Sequence, residues 1–127
     1  MKELIAIIRP GRAKLTKQKL AEKGFVAYTE ERVLGRGKQK GVQYSPEGDP
    51  NCKEGISFLP KRMLTIFVND EEVNRAVEVL MDSNRTGEIG DGKIFVCTVE
   101  DVIRIRTDER GREALSITEG RDINASV

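Results

Sequence analysis

The alternation of apolar and polar residues predicts four strands and a short fifth one. Continuous apolar runs at 4–8 and 63–68 are typical of strands that are buried on both faces. Segment 25–34 alternates in part, and segment 93–98 is a further apolar run. Strict alternation over residues 102–107 predicts the short last strand.

A first helix is predicted between the first two strands, over residues 13–23. Its apolar stripe is thin, with Ala13, Leu20 and Ala21 facing inward. Gly24 follows the stripe and is a typical helix stop, because glycine readily adopts the left-handed backbone that ends many helices.

A second helix is predicted after the third strand and ends near Asn84. Asn69 is a suitable N-cap, and Glu72 three residues later completes a capping-box pattern with acids in the first turn. One apolar stripe at helical spacing is expected to form core: Val73, Ala76, Val77, Leu80 and Met81.

These elements form two βαβ halves joined by a long loop, followed by the short strand. The order predicts an α+β, ferredoxin-like βαβ-βαβ sandwich, with an antiparallel sheet that carries both helices on one face. We expect one domain over residues 1–115 and a flexible tail over residues 116–127. The chain is polar from Asp108 onward, and we expect it to fray from there. The opposite sheet face would be too apolar to stay in water, and self-association is its simplest cover.

The long loop, residues 35–60, contains five glycines and three prolines. Loops of this length are uncommon in compact domains and are usually functional or disordered. Both interpretations stay open: a disordered insertion, or a binding segment whose apolar residues, such as Tyr44 and Phe58, dock onto a partner.

A second glycine-rich segment, residues 85–96, places Gly87, Gly90 and Gly92 just before Lys93. Backbone N–H groups that converge in such a loop form an anion nest, and a lysine at its rim suits phosphate. The alternative is a plain turn between a helix and a strand. The segment also matches most of a Walker A pattern, but Ile94 replaces the hydroxyl residue and the helix-to-strand context is reversed, so a P-loop NTPase is disfavoured.

Further cations accompany this loop. Arg104 and Arg106 share one face of the last predicted strand, and Lys38 and Lys40 lie in the long loop. One arginine guanidinium can donate two hydrogen bonds to two oxygens of a phosphate. Lys93 together with the two arginines therefore suits a nucleotide triphosphate. For Lys38 and Lys40 alone, solvated surface charge is the simpler interpretation.

Composition narrows the function classes. The 127-residue chain has a net charge of +1, 5% aromatic residues and no tryptophan, which disfavours a ferredoxin-like RNA-binding module. It has no histidine and two cysteines, so a triad, a Cys-His pair or a structural zinc site is not expected within one chain. We expect no signal peptide and no membrane insertion, and hence a cytoplasmic protein.

Four motifs together resemble the PII nitrogen-regulatory signalling proteins over about residues 1–115. Residues 86–96 are similar to the B-loop of that family, and residues 104–107 to its C-loop. Residues 35–41 resemble the base of its T-loop and residues 58–61 the return from it, which defines a long T-loop over residues 36–59 here.

The resemblance implies a homotrimer that binds ATP or ADP in clefts between subunits and acts as a sensor, not an enzyme. By matching position, the implied nucleotide-binding residues are Thr29, Gly35, Lys38, Gly87, Asp91, Gly92, Lys93, Arg104 and Arg106. The implied 2-oxoglutarate residues are Gln39, Lys40, Gly41 and Lys61, and Gln39 would also hold Mg²⁺ together with ATP and 2-oxoglutarate.

The resemblance is strongest to the nitrogenase-associated (NifI-type) subgroup of archaea and anaerobes. Its implied partners are dinitrogenase and a PII paralogue, and its effectors relieve inhibition of nitrogenase. Tyr44 lies too early in the loop to match the tyrosine that enteric relatives uridylylate. A general PII regulator of an ammonium transporter or glutamine synthetase, and a slow ATP hydrolase, are the alternatives.

Overall fold

The computed structural model describes residues 1–36 and 58–115. Short 3-10 turns, Pro10–Arg12 and Asp70–Glu72, lead into the two main helices. The strands are β1 (Lys2–Ile8), β2 (Thr29–Gly35), β3 (Leu59–Val68) and β4 (Lys93–Thr98); the helices are α1 (Ala13–Glu22), α2 (Val73–Asn84) and the single-turn α3 (Arg112–Leu115).

The four strands form one antiparallel sheet in the order β2-β3-β1-β4. The apolar β1 lies inside the sheet, where Leu4 pairs with Ile66 of β3 and Val96 of β4. The β1-α1-β2 and β3-α2-β4 halves confirm the α+β, ferredoxin-like class. No helix within residues 1–36 and 58–115 is long and apolar enough to cross a membrane.

The core lies between one face of the sheet and the two main helices. Leu20, Ala76 and Leu80 project from the helices and are 2% exposed or less. Opposite them, the alternate positions of β1 and β3 are buried: Leu4, Ala6, Ile8, Leu64, Ile66 and Val68.

The predicted inward residues of α1 are correct in part. Ala13 and Leu20 are buried, but Ala21 is exposed, and the polar Thr16 is fully buried instead. Spacings of three and four residues place 13, 16 and 20 on one stripe, whereas Ala21 lies about 100° further round the helix.

Polar residues of α2 also enter the core, which the apolar stripe did not predict. Ser83 and Asn84 are buried, whereas Met81 is 38% exposed in this chain. The Asn84 amide donates to the Thr16 hydroxyl at 3.0 Å and to the Leu80 carbonyl at 2.8 Å, which links the two helices. Hydrogen bonds replace the water contacts of the Ser83 hydroxyl and of the Asn84 amide nitrogen, whereas the Asn84 Oδ1 is buried with no partner among the described residues.

The N-terminal cap of the second helical segment is as predicted. The Glu72 carboxylate accepts a hydrogen bond from the Asn69 backbone N–H at 3.2 Å, as in a capping box. The predicted acids of the first turn, Asp70 and Glu71, lie in the 3-10 turn that precedes α2.

The sheet face opposite the helices is apolar, and no helix of the described residues packs on it. Its members include Ile5 and Ile7 of β1, Met63 and Phe67 of β3, and Phe95 of β4. Phe67 is 45% and Phe95 50% exposed. The expected uncovered face is therefore confirmed, and β1 is not buried on both faces within a single chain.

Two strand predictions are wrong in detail. Segment 25–34 becomes a strand only from Thr29, because Phe25 is buried and its N–H is used to close the end of α1 on the Leu20 carbonyl at 2.9 Å. Segment 102–107 forms no strand: Ile103 makes an isolated bridge to Arg110, and residues 105–107 turn.

The chain after this turn is ordered to Leu115, which corrects the expected fraying from Asp108. Asp108 and Gly111 have φ angles of 60° and 61°, so the backbone reverses direction there. The Arg104 guanidinium donates to the Glu109 carboxylate and to the Ala114 carbonyl, each at 3.0 Å. These contacts hold Arg104 against the segment that leads into α3 and explain why strict alternation did not produce a strand.

Candidate functional site

The candidate site is the glycine loop, residues 85–92, which joins α2 to the edge strand β4. Gly87, Gly90 and Gly92 have φ angles of 85°, 100° and 111°, a region that residues with side chains rarely adopt. A Cβ on Gly92 would overlap the Ile7 carbonyl oxygen, so the loop packs directly on the backbone of β1. Gly92 is thus required by packing alone.

Asp91 organises the interior of this loop. Its carboxylate accepts hydrogen bonds from the Thr86 N–H at 2.8 Å, the Thr86 hydroxyl at 2.5 Å and the Gly87 N–H at 2.9 Å. The Arg9 guanidinium donates to it at 2.6 Å. These donors, those of Thr86 above all, hold the pKa of Asp91 well below its usual range, so the carboxylate stays ionised.

Two cations from neighbouring strand ends complete the loop. Arg9, the residue after β1, also donates to the Ile89 carbonyl at 2.8 Å, and Lys61 near the start of β3 donates to the Gly90 carbonyl at 2.9 Å. Burial, followed by the charge of Arg9, lowers the pKa of Lys61, while Asp91 opposes that shift.

The loop divides its backbone donors into two groups. The N–H groups of Thr86 and Gly87 bind Asp91, and that of Glu88 binds the Thr86 hydroxyl at 3.1 Å. Those of Ile89, Gly90 and Gly92 donate to no acceptor within the described part of the chain. Alternation of left-handed glycines with ordinary residues is nest geometry, and Lys93 follows directly, so this half of the loop suits an anion.

The structure brings together most of the expected residues that it describes. Gly35 and Lys61 lie on β2 and β3 at the sheet end where Arg9 and Lys61 meet the glycine loop, on the face opposite the helices. Thr29 pairs with Thr65, several residues further along the sheet. Four expected residues lie outside the described residues: Lys38, Gln39, Lys40 and Gly41.

A cleft of about 420 Å³ lies on the helix side of the same loop, between α2 and β4. Its walls are mainly apolar, with Leu80 and Met81 on one side and Ile94 and Val96 on the other, and it also borders Lys93. The cleft also borders Asp91 and Gly92, so it meets the glycine loop itself from the helix side. No cluster of acidic or cysteine side chains that could hold a metal occurs among residues 1–36 and 58–115.

Sequence reasoning missed Arg9. Arg9 follows the first apolar run and precedes Pro10, a position that by itself predicts no role in binding. The available signal was weak: one arginine at a strand end, with its partners some 80 residues away in sequence. Only the pairing of β1 with β4 shows that this strand end faces the glycine loop.

The fold and the loop define the class: a small α+β protein with nest geometry at a helix-to-strand turn. In P-loop nucleotidases the phosphate-binding loop instead joins a strand to a helix. A family model described as Nitrogen regulatory protein P-II matches residues 1–109. The chain therefore belongs to the P-II family, as its sequence motifs predicted. Members of this family are signalling regulators and not enzymes.

Relatives of known name support this assignment. The chain is 49% identical over 122 residues to the nitrogen fixation nifHD region GlnB-like protein 2 of Methanothermobacter marburgensis, an alignment that covers 91% of this chain and 100% of that protein. It is 44% identical over 115 residues to nitrogen regulatory protein P-II 2 of Methanothermobacter thermautotrophicus, with coverage of 91% and 97%. The nifHD-region name agrees with the predicted nitrogenase-associated subgroup.

A solved structure matches in fold as well. The crystal structure of Arabidopsis thaliana PII bound to citrate superimposes with a TM-score of 0.72 at 34% identity, over 92% of this chain and 91% of that one. The shared fold places the glycine loop and the sheet of this chain in a P-II framework.

Proposed function

We propose that this nitrogen regulatory protein senses ATP or ADP together with 2-oxoglutarate and controls nitrogenase by direct binding. The observation that carries the proposal is the half-open nest. Three N–H groups of the glycine loop have no acceptor in the described part of the chain, and Lys93 follows them. Phosphate oxygens are suitable acceptors for such a group of donors.

The proposed nucleotide site uses both the nest and neighbouring groups. Gly87, Gly90 and Gly92 give the loop its shape, and Lys93 adds a positive charge. Gly35 and Thr29 lie on the same sheet face. Arg104 and Arg106 would contact the phosphates of a nucleotide bound between subunits, and Arg104 would then exchange its contacts with Glu109 and Ala114 for the nucleotide. Asp91 acts here by organising the loop, since its carboxylate is already occupied by donors of the protein.

The proposed 2-oxoglutarate site adjoins this nucleotide site. Lys61 donates to the Gly90 carbonyl at 2.9 Å, so its ammonium already lies beside the nest and suits a carboxylate. The Arabidopsis relative was solved with citrate, which is also a polycarboxylate. Gln39, Lys40 and Gly41 would complete the site, and the Gln39 amide oxygen would share a Mg²⁺ ion with the nucleotide and 2-oxoglutarate.

A homotrimer is proposed because it covers the apolar sheet face. Ile5, Ile7, Phe67 and Phe95 form a continuous apolar surface opposite the helices. Surfaces of this kind in soluble proteins mark interfaces, and closed cyclic symmetry satisfies all copies equally. The nucleotide clefts would then lie between neighbouring subunits.

The proposed target is dinitrogenase, contacted by the loop over residues 36–59, in a complex that includes a second P-II protein. The nifHD-region names of relatives support a link with nitrogen fixation. Two numbered P-II proteins, 1 and 2, are named in Methanothermobacter thermautotrophicus, which supports a paralogue there. Inhibition of purified dinitrogenase by this chain, relieved by Mg-ATP with 2-oxoglutarate, is the direct measurement.

The ligand proposal is tested by calorimetric titration of Mg-ATP, followed by 2-oxoglutarate. A charge-assisted hydrogen bond to phosphate is worth about 1.5–3 kcal/mol, so Lys93→Ala is expected to weaken Mg-ATP binding roughly tenfold or more. Lys14→Ala, at an exposed position of α1, is the control and should bind as the unmodified chain does. Equal Mg-ATP affinity in both variants would contradict this site.

The second ligand provides a separate test. We expect 2-oxoglutarate to bind only when Mg-ATP is present, because they share the metal ion in the proposed site. Binding of 2-oxoglutarate without nucleotide, at the same affinity, would show that the two sites are independent.

A further inference from the structure

We infer that Arg9 is a positioning residue of the anion site, whose guanidinium clamps the glycine loop in its binding shape through Asp91 and the Ile89 carbonyl. We call these two contacts of the guanidinium, one to Asp91 and one to the Ile89 carbonyl, the Arg9–Asp91 clamp. The inference deepens the proposed function and rests on it where the bound anion is a nucleotide.

The clamp uses the planar fork of the guanidinium. One nitrogen donates to Asp91 at 2.6 Å and the other to the Ile89 carbonyl at 2.8 Å. The side chains of Arg9 and Asp91 are 30% and 25% exposed, so the pair is largely shielded from solvent. Lysine is a single point charge and does not reproduce two divergent contacts of this kind.

The backbone of Arg9 is held independently of the loop. It follows Ile8, which is 2% exposed, and precedes Pro10, whose ring restricts the chain at the start of the 3-10 turn. The Arg9 carbonyl also accepts the Arg12 N–H at 3.0 Å. The guanidinium therefore extends from a strand end that the sheet and the 3-10 turn hold in place.

The clamp decides which backbone donors remain for a ligand. Asp91, fixed by Arg9, takes the N–H groups of Thr86 and Gly87, which closes the first half of the loop. The second half keeps the donors that have no acceptor in the described residues. Without Arg9, Asp91 would lose this countercharge, and only the donors of Thr86 and Gly87 would hold its carboxylate in the loop.

The residue at position 90 fits this arrangement. A Cβ on Gly90 would lie 3.2 Å from one Arg9 nitrogen, so the guanidinium packs closely against the bare backbone there. Lys61 donates to the Gly90 carbonyl at 2.9 Å from the neighbouring strand. Arg9 and Lys61 thus hold adjacent carbonyl groups of the same loop.

The test compares Arg9→Ala, Arg9→Lys and Asp91→Asn with Arg12→Ala. Arg12 is a nearby arginine whose side chain makes no hydrogen bond or ion pair with the loop in the described part of the chain. Two quantities are measured for each: Mg-ATP affinity by calorimetry, and hydrogen exchange of the Thr86 and Gly87 amides without ligand. Global stability is followed by urea unfolding in parallel.

We expect Arg9→Ala to weaken Mg-ATP binding at least tenfold and to accelerate exchange of both amides, with Arg12→Ala unchanged. Arg9→Lys should recover only part of the affinity. The Arg9→Ala/Asp91→Asn double variant should lose less than the sum of the single losses, because the two residues act as a unit.

Three results would overturn the inference: unchanged exchange in Arg9→Ala, accelerated exchange with unchanged Mg-ATP affinity, or an equal loss of affinity in Arg12→Ala. If the unmodified chain binds no Mg-ATP, the proposed function fails. The exchange measurement then still decides whether Arg9 holds the loop, and unchanged amides would reject the clamp as well.

Discussion

At the scale of single residues, Gly92 shows how packing and ligand chemistry can require the same glycine. Its φ of 111° and its approach to the Ile7 carbonyl are both properties of the fold itself. The sequence motif suggested that glycine serves ligand binding. The structure shows that the packing of the loop on β1 already requires glycine at this position.

Substitution of Gly92 is expected to destabilise the fold strongly. Gly92→Ala combines a left-handed backbone with overlap against β1, and should lower the free energy of unfolding by about 3 kcal/mol or more. Gly24→Ala has a φ of 89° but open space, so about 1 kcal/mol is expected. Gly11→Ala, with neither feature, should lie within about 0.5 kcal/mol.

Urea unfolding of the three variants separates the two effects. Equal losses for Gly92→Ala and Gly24→Ala would show that backbone conformation alone matters and that the approach to Ile7 does not.

Asp91 illustrates the limit of residue-level prediction. The motif resemblance assigned it to the nucleotide, but its carboxylate faces Thr86, Gly87 and Arg9. A carboxylate in a glycine loop can point either way. Here the donors of Thr86 and Gly87, together with a cation from a distant strand end, turn it into the loop. That cation is Arg9, and only the pairing of β1 with β4 in the sheet shows that it lies beside Asp91.

At the scale of elements, the two main helices are joined by a polar contact as well as by apolar packing. Thr16 is fully buried; it donates to the Arg12 carbonyl at 2.7 Å and accepts from Asn84 at 3.0 Å. Since its proton is already used, Thr16 can only accept from Asn84, which fixes the orientation of the Asn84 amide.

Removal of the Thr16 hydroxyl should therefore destabilise the packing of α1 on α2. Thr16→Val keeps the shape but leaves buried groups of Arg12 and Asn84 each one partner short, which costs about 1–3 kcal/mol. Ser83→Ala is the control: its hydroxyl donates to the Val79 carbonyl within α2, and its loss should cost about 1 kcal/mol or less. Thermal or urea unfolding measures both, and an equally mild Thr16→Val would contradict this contact.

Element prediction from the sequence was reliable where a long apolar period existed. The strand at Lys93–Thr98 and the helix that ends at Asn84 lie where the pattern placed them. Alternation failed over residues 102–107, because this segment pairs with no strand of the described residues beyond a single bridge, and Arg104 holds it against the chain that follows. Periodicity describes which residues could share a face, but a strand also needs a partner.

At the scale of the whole molecule, the sheet face opposite the helices is the proposed trimer interface. In a trimer that buries this face, a charge introduced on it would be removed from water without a partner, which is unfavourable. Phe95 pairs directly with Ile5 in the sheet and is half exposed in the single chain.

Phe95→Asp is accordingly expected to dissociate the proposed trimer. Light scattering after gel filtration should give a mass close to three 14.2 kDa chains for the unmodified protein and one for the variant. Ala21→Asp, at an exposed position of α1, makes a similar change on the helix side and should leave the mass unchanged. Dissociation by both variants, or by neither, would place the interface elsewhere.

The sequence by itself determined the class of fold, the existence of one apolar sheet face without a helix, the glycine loop and the family. These follow from local patterns: strand and helix periods, a capping box, and short motifs that can be interpreted without knowledge of the tertiary contacts. The tertiary structure decided what those patterns could not. Antiparallel pairing of β1 with β4 brings Arg9 to Asp91, and pairing of β1 with β3 brings Lys61 to the Gly90 carbonyl. The reason is physical: hydrogen bonds and charge pairs depend on distance in space, and no local period in the sequence records a contact between residues some 80 positions apart.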